Sequence, residues 1–248
     1  HPVGRSDARH RLAGRRSDLV GQGSERTTVC PSFRGEGGLS RTCIKDIIRS
    51  KMAKLIIITR FNVPHKEWKG ISEIWMKKRI KIFEELCSPS VEKQTDKEFD
   101  WFIYIDPDTK SKHVKKLNKK INADLKKAKR GSTMYKKIRK DLKEKYNVGD
   151  KIITARLDND DIISKNYVKK SKKINFEGAL RYARGFQARK IKDEYDIRKV
   201  TSVKGPFMLY KEKIKKEYLP KTVFYNAHTK WKKYVKNVYS ERMWIQLI

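Results

Sequence analysis

Three short apolar runs recur along the chain, and each ends in polar residues. They cover residues 54–59, 100–106 and 151–157 and have the length of buried strands. Between the first two, apolar side chains recur at helical spacing over residues 71–87, which predicts a helix that Pro89 ends. This alternation of strand and helix predicts an α/β fold with a mostly parallel sheet flanked by helices.

The segment 112–146 is rich in lysine and carries two narrow apolar stripes, separated by a break at Gly131. The pattern predicts a helical hairpin with basic outer faces, inserted between the second and third strands. After the third strand, glycines separate short β-like runs. Residues 231–239 are predicted to be helical again.

The composition of the chain changes abruptly near Met52. Residues 1–51 hold nine Arg and two Lys, whereas residues 52–248 hold ten Arg and 41 Lys. The first segment is also rich in Gly and Ser and has no sustained apolar periodicity. We interpret Met52 as the natural start, residues 1–51 as a non-native or disordered extension, and residues 52–248 as one domain. A genuine basic tail or an Arg-rich transit peptide is the alternative.

The formal net charge of +33 at pH 7 makes polyanions natural partners of this protein. Nucleic acid, acidic polysaccharide and an anionic membrane surface all meet that description. The three cysteines have no regular spacing, which argues against a disulfide framework and is typical of a reducing cytoplasm. No apolar run approaches the roughly 20 residues that cross a bilayer. We therefore expect a cytoplasmic location, with peripheral association at the membrane as an option.

The most informative stretch is Asp158-Asn159-Asp160-Asp161, which places three carboxylates directly after an apolar strand. Ligands of α/β sheets bind beyond the carboxyl ends of the strands. Hard oxygen ligands at this place suit Mg²⁺ or Mn²⁺, and such an ion can stabilise a leaving diphosphate. Two alternatives stay open: Asp160 or Asp161 caps a helix, or Asp-Asn forms a plain turn.

Several motifs, in this order, resemble the GT-A glycosyltransferases of family 2. The stretch from Ser90 to Asp106 resembles their second strand region, where a Ser-x-x-x-Gln-Thr helix end precedes a strand that ends in aspartate. Four further motifs are similar to the putative rhamnosyltransferase group of that superfamily: Thr59-Arg60-Phe61-Asn62-Val63, Thr154 to Asp161, Gly205-Pro206-Phe207 with Glu212, and Arg242-Met243-Trp244-Ile245-Gln246. The resemblance covers about residues 54–248 and implies a GT-A-like domain.

The chain departs from the family pattern at three places. The segment 112–146 is unusually basic, and Tyr210-Lys211 is more polar than its family counterpart. In the family, the final Trp-containing segment runs on to a His that many GT-A enzymes use near the metal. This chain stops at Ile248, so we expect it to be truncated at its C-terminus.

The resemblance also implies roles for individual residues. Asp106 would contact the nucleoside of the donor, Arg60 could pair with its phosphates, and Asn62 would shape the loop. The expected donor site comprises Arg60, Asn62, Asp106, Arg156 and Asp158, although Arg156 could instead form a structural ion pair. The expected metal ligands are Asp158 and Asp160, with His228 as a further candidate.

An inverting transferase needs a base that deprotonates the acceptor hydroxyl. Glu212 matches a family position and is the preferred candidate. Asp161 is a second catalytic candidate. Further carboxylates that could serve as the base are Asp193, Glu194 and Asp196.

These observations predict a glycosyltransferase that moves a sugar, with rhamnose as the candidate, from a nucleotide-sugar donor to a glycan or other hydroxyl acceptor. The reaction is expected to depend on Mn²⁺ or Mg²⁺ and to invert the anomeric centre. One alternative is a basic protein that binds nucleic acid or another polyanion without catalysis. Another is a catalytically inactive scaffold that binds glycans.

Overall fold

The computed structural model describes residues 52–63, 72–120, 122–129, 132–225 and 235–248. The predicted extension 1–51 and the candidate ligand His228 lie outside these residues. The strands are β1 (Lys54–Arg60), β2 (Phe99–Ile105), β3 (Asp124–Lys127), β4 (Lys151–Asp158), β5 (Ile162–Ile163), β6 (Gly178–Ile191), β7 (Glu194–Thr201), β8 (Met208–Lys213) and β9 (Val235–Leu247). The helices are α1 (Glu73–Ile82), α2 (Ser88–Glu92), α3 (Ser111–Lys120), α4 (Ser132–Lys145) and α5 (Tyr167–Lys173), with a π-helical turn at Phe83–Cys87.

All described strands join one sheet in the order β3-β2-β1-β4-β8-β6-β9-β5, and β7 pairs with β6. The three strands predicted from the apolar runs are β1, β2 and β4, and β1 lies parallel between the other two. This confirms the α/β core. The sheet is nevertheless mixed rather than mostly parallel, because β8 runs antiparallel to β4 and β6, and β7 is antiparallel to β6. A two-residue connection such as the one between β6 and β7 can only join antiparallel strands.

The central strand β1 is buried on both faces, as expected for a parallel strand between helices. Leu55 and Ile57 belong to one apolar core, which also contains Leu117 of α3. Ile56 and Ile58 belong to the other core, on the opposite face of the sheet. Within the described part of the chain, no helix has both the length and the apolar composition that a membrane crossing requires.

The helical path does not end before Pro89, contrary to the sequence prediction. It continues from α1 through the π-helical turn into α2, with Pro89 in the first turn of α2. The Ser88 N–H donates to the carbonyl of Phe83, five residues back. A π turn is wider than an α turn, and Pro tolerates a first-turn position where its missing N–H costs little.

The predicted helical hairpin at 112–146 is also wrong. Its two helices exist as α3 and α4, but β3 lies between them and adds parallel to the edge of β2. α3 packs on one face of the sheet through Leu117, and α4 packs on the other through Ile138. Pairing with the free edge of β2 satisfies backbone groups of both strands, and this outweighs the helical preference of a Lys-rich segment.

The helix predicted for residues 231–239 is contradicted from Val235 onward. Residues Val235–Leu247 form the long strand β9, which runs parallel to β6 along most of its length. Strand pairing across Ala179 to Ala188 fixes this conformation. Tertiary pairing thus decides an element that periodicity alone had assigned differently.

Candidate functional site

The carboxyl ends of β1, β2 and β4 meet at one edge of the sheet. In register, Arg60 of β1 lies beside Tyr104 of β2 and beside Asp158 of β4. The polar residues that follow these three strands are therefore neighbours, as the sequence predicted. In α/β folds this edge is where ligands bind.

Asn62 connects the loop after β1 to the loop after β2. Its side-chain oxygen accepts a hydrogen bond from the N–H of Asp106 at 3.0 Å, and its amide nitrogen donates to the Thr109 hydroxyl at 2.8 Å. The Thr109 hydroxyl in turn donates to the Asp106 carbonyl at 2.6 Å. Asn62 is buried. It positions the loop that carries Asp106, and its expected place in the donor site stays a prediction.

The acidic cluster forms a turn between β4 and β5, so that a strand and not a helix comes directly after it. The N–H of Asp161 donates to the carbonyl of Asp158 at 3.1 Å, and β5 begins at Ile162. The helix-cap alternative is therefore wrong, whereas the turn is present. Buried Asn159 donates from its side chain to the Phe61 carbonyl at 2.7 Å, which fixes the turn against the loop after β1.

Two of the three carboxylates in the turn are paired with arginines. Arg156 holds Asp158 through two hydrogen bonds, from Nε at 3.1 Å and from Nη2 at 2.7 Å. The two residues share one face of β4, because alternate residues of a strand point the same way. Asp160 forms an ion pair with Nη1 of Arg79 on α1. This contact to α1 was not predicted.

Asp161, the third carboxylate, points away from solvent. It is buried, and the backbone N–H of Leu247 hydrogen-bonds to it. Burial raises the pKa of Asp161 well above its usual range, and the charges of Asp158 and Asp160 raise it further. The thiol of Cys87 lies beneath the turn, 3.6 Å from the Asp158 carbonyl, and is buried as well.

A groove opens at this edge, which we call the strand-end groove. It encloses about 520 Å³, including its mouth to solvent, and is lined by Arg60, Phe61, Asn62, Val63, Trp75, Arg79, Asp158, Asn159 and Asp160. The guanidinium carbon of Arg79 lies 5.1 Å from the ring centroid of Trp75. Neither Arg79 nor Trp75 belongs to the site residues predicted from the sequence. The available signal was their spacing of four residues, which puts both on one face of a helix.

The structure does not bring Glu212 to the groove. Glu212 lies on β8 opposite Ile152, six residues before Asp158 on β4, which corresponds to roughly 20 Å along the strand. Its carboxylate accepts the N–H groups of Lys221 and Thr222 at 2.9 and 2.8 Å. Glu212 therefore caps a loop near the opposite edge of the sheet. The other three candidate bases do not line the groove either: Asp193 lies in the turn between β6 and β7, and Glu194 and Asp196 lie on β7.

The metal-binding potential of the site rests on Asp158 and Asp160. No group of three His, Cys, Asp or Glu side chains suited to a metal ion occurs among the described residues. A closed protein cage is thus absent from this part of the chain. Mg²⁺ is commonly held by one or two carboxylates together with substrate phosphates. The two groove carboxylates fit that mode of binding.

The sheet topology and the groove describe an α/β domain with a candidate ligand site at the carboxyl ends of its parallel strands. The chain belongs to the family described as putative rhamnosyl transferase, whose family model matches residues 70–246. This confirms the family resemblance drawn from the motifs. A search among curated proteins gives no match.

Solved structures with similar folds include S. aureus TarS. Residues 1–349 of TarS in complex with UDP match at 14% identity and a TM-score of 0.45, covering 79% of this chain and 60% of that one. The same TarS fragment in another crystal structure matches at 13% identity and a TM-score of 0.44, covering 78% and 60%. A putative glucose-1-phosphate thymidylyltransferase from Bacillus anthracis, in complex with a sucrose, matches at 11% identity and 0.34, covering 77% and 88%. At these scores the likenesses add no weight to the assignment, which rests on the family match.

Proposed function

We propose that this protein transfers a sugar, with rhamnose indicated by the family, from a nucleoside diphosphate donor to a hydroxyl group of an acceptor. The observation that carries the proposal is the strand-end groove, where arginine and aspartate side chains gather beyond three parallel strands. A diphosphate needs cations close by, and a groove at this edge is where an α/β fold accommodates a nucleotide.

The donor would lie along the groove from the Asp106 loop to the acidic turn. Asp106, whose N–H is bound by the Asn62 side chain, would contact the nucleoside. Arg60 lines the groove beside Asp158 and would pair with the phosphates. Arg156 belongs to the site indirectly, because it orients the carboxylate of Asp158 through two hydrogen bonds.

Asp158 and Asp160 would hold Mg²⁺ or Mn²⁺ jointly with the donor phosphates. When bound, the ion neutralises negative charge that develops on the leaving diphosphate. The protein's own contribution is to keep two carboxylates fixed at the end of β4 through the Arg156 pair and the Asn159 contact. His228, outside the described residues, stays a predicted further ligand.

We further expect a single displacement with inversion, which requires a base beside the acceptor hydroxyl. Glu212 is too far along β8 for that role. Asp161, the second candidate, is buried, accepts a hydrogen bond from the Leu247 N–H and does not line the groove. The base is therefore expected among residues that reach the groove once the acceptor binds.

An anionic acceptor or surface would suit the same edge of the sheet. Lys110 and Lys112 lie in and just after the β2–α3 loop, and Lys127 ends β3 beside Ile105. These side chains attract a polyanion toward the groove without specifying it. An acidic polysaccharide, or a glycan on an anionic membrane, is the proposed acceptor environment in the cytoplasm. Nucleic-acid or polyanion binding without catalysis remains the competing function, supported by the same lysines.

The decisive experiment is hydrolysis and transfer from a panel of nucleotide-sugars, measured with Mn²⁺ and with chelator. The wild type should release nucleoside diphosphate, and Asp160→Asn should lower the rate on the order of 10²-fold or more. Asp124→Asn is the matched control, since Asp124 pairs with Lys145 and does not line the groove. Polyanion binding with no turnover of any donor would favour the competing function.

A further inference from the structure

Arg79 is the guanidinium group on α1 that reaches the strand-end groove. Its side chain is mostly buried, with 21% exposed, and its planar group lies against Trp75. Among the described residues only its Nη1 donates a hydrogen bond, and the acceptor is Asp160. The guanidinium carries five N–H donors in a fixed plane, so the Asp160 contact leaves several of them for a ligand.

The second arginine beside the acidic turn differs from Arg79. Arg156 is bound to both oxygens of Asp158 and lies on the same strand, two residues away. That pair is therefore local to β4. The Arg79–Asp160 pair instead joins two elements, α1 and the turn after β4, across the groove. A ligand that enters the groove meets the Arg79–Asp160 pair directly.

The charges in the groove favour an exchange of partners. Asp160 lies two residues from Asp158 in the same turn. Without a cation beside it, the negative charge of Asp160 would repel both Asp158 and an incoming diphosphate. The guanidinium of Arg79 supplies that cation through its ion pair with Asp160. A diphosphate that arrives with a divalent ion brings a partner for each member of the pair: phosphate oxygens for Arg79 and the ion for Asp160.

We propose that Arg79 binds the diphosphate of the donor, and that its ion pair with Asp160 is an exchangeable contact that the donor breaks. The inference rests on the proposed function for the identity of the donor. It adds a residue from α1 to the binding machinery. It also predicts that the two residues have opposite effects on anion binding without metal: Arg79 strengthens binding and Asp160 weakens it.

Calorimetric titration with UDP and with inorganic pyrophosphate tests the first half of the inference. Arg79→Gln should weaken binding of both ligands about tenfold or more, because it removes a charge-assisted hydrogen bond to phosphate. Arg79→Lys keeps the charge without the planar fork and should recover only part of the affinity. Arg198→Gln is the matched control, since Arg198 is exposed on β7 and pairs with Asp196. Thermal melts of each variant report whether it folds.

The opposition between Arg79 and Asp160 is tested without metal, in chelator. Asp160→Asn should strengthen pyrophosphate binding severalfold, because Arg79 is released from its partner. The double variant Arg79→Gln with Asp160→Asn should lose that gain. If the pair had a purely structural role, each of the two single substitutions would weaken pyrophosphate binding. That result, or equal affinity of wild type and Arg79→Gln for UDP, would overturn the inference.

The outcomes separate this inference from the proposed function. If pyrophosphate binding depends on Arg79 but no nucleotide-sugar is ever turned over, the anion site stands and the transferase proposal fails. If donors are turned over and Arg79→Gln behaves like the wild type, the transferase proposal stands and the inference fails. If the folded wild type binds neither UDP nor pyrophosphate, both are wrong.

Discussion

Glu73, in the first turn of α1, holds the loop that carries Asp106. Its carboxylate pairs with Lys112 at 2.6 Å, with Lys110 at 3.2 Å and with Nε2 of His113 at 3.1 Å. These hydrogen bonds, the one from Lys112 above all, lower the pKa of Glu73 to about 2. One carboxylate outside the groove thus ties the β2–α3 loop to α1, which carries Arg79.

Glu73→Gln should lower the melting temperature at neutral pH, and the difference from the wild type should vanish in acid. A carboxyl group whose pKa is lowered by folding stabilises the protein above its unfolded pKa of about 4.3. This stability is lost as the pH falls through about 2. Melting curves between pH 7 and pH 2 at low salt measure the effect. Glu85→Gln is the control, because its 3.8 Å pair with Lys81 is far more exposed. A difference that persists unchanged at pH 2 would contradict the assignment.

Cys87 should resist alkylation in the folded protein. Burial raises the pKa of its thiol, and the charges of Asp161, Asp160 and Asp158 raise it further, so the reactive thiolate is suppressed. Peptide-resolved mass spectrometry after iodoacetamide treatment at pH 8 should show Cys87 unmodified in buffer and modified in urea. Equal labelling in both conditions would mean that the acidic turn does not cover the thiol as described.

Some of the groove residues could be predicted from the sequence and others could not, and the reasons are physical. Asp158 and Asp160 follow a strand directly, so adjacency along the chain is enough to place them. Arg79 enters the groove only through the packing and rotation of α1, which a sequence pattern does not specify. Glu212 matched a family motif, yet the antiparallel pairing of β8 with β4 places it near the other edge. Strand direction is a property of the sheet and cannot be found in the motif.

At the scale of elements, β6 and β9 form the central pair of the mixed half of the sheet. Trp244 of β9 packs over Gly185 of β6, and its ring is stacked on Phe207 with centroids 4.3 Å apart. The indole N–H donates to the Tyr182 carbonyl at 2.7 Å, which fixes the ring in place. Only glycine leaves room for this approach, since a Cβ at position 185 would lie 2.1 Å from the Trp244 ring.

Gly185→Ala should therefore destabilise the fold by about 1–3 kcal/mol or more, the usual cost of overpacking a fixed core. Urea unfolding followed by Trp fluorescence measures the change. Gly205→Ala is the matched control, because a Cβ there meets only Ser202 at 3.4 Å and beyond. Similar stabilities of the two variants would show that Trp244 can move aside at little cost.

The elements that were predicted correctly are those with strong local signals. β1, β2 and β4 are continuous apolar runs that must be buried on both faces. β3 has only four residues and little apolar character, and it is a strand because β2 offers an unpaired edge. In the same way, Val235–Leu247 forms the strand β9 because it pairs with β6. Long-range pairing therefore explains the wrong helical predictions at both places.

At the scale of the whole molecule, the chain has far more basic residues than the strand-end groove contains. Residues 52–248 contain 51 basic and 24 acidic residues, and residues 1–51 contain 11 and five. Many lysines are bound to carboxylates or carbonyls, as in the pair of Lys145 with Asp100. The surplus still gives a field that draws anions from solution, and salt should weaken this attraction. The positive surface thus promotes the encounter with anions, and the groove determines which anion binds.

A protein that starts at Met52 should keep both the stability and the donor affinity of the full chain. The reason is that residues 1–51 lack apolar periodicity, so burying them would not offset the entropy lost on ordering. Among the described residues, those that form the groove and the two apolar cores run from Ala53 onward. We expect the melting temperature to change by less than about 2 °C and the dissociation constant for UDP to stay within about twofold. Elution from heparin should move to somewhat lower salt, because the deletion removes more basic than acidic residues.

The control for that deletion is residues 52–248 preceded by a neutral Gly/Ser segment of the same length as the removed one. This variant separates the effect of chain length from the effect of charge, and it should elute from heparin like the shorter protein. A fall in melting temperature of more than about 4 °C on deletion corresponds to at least about 1 kcal/mol for a domain of this size. Such a fall, not reversed by the neutral segment, would contradict the prediction and would mean that residues 1–51 contribute to the stability of the folded protein.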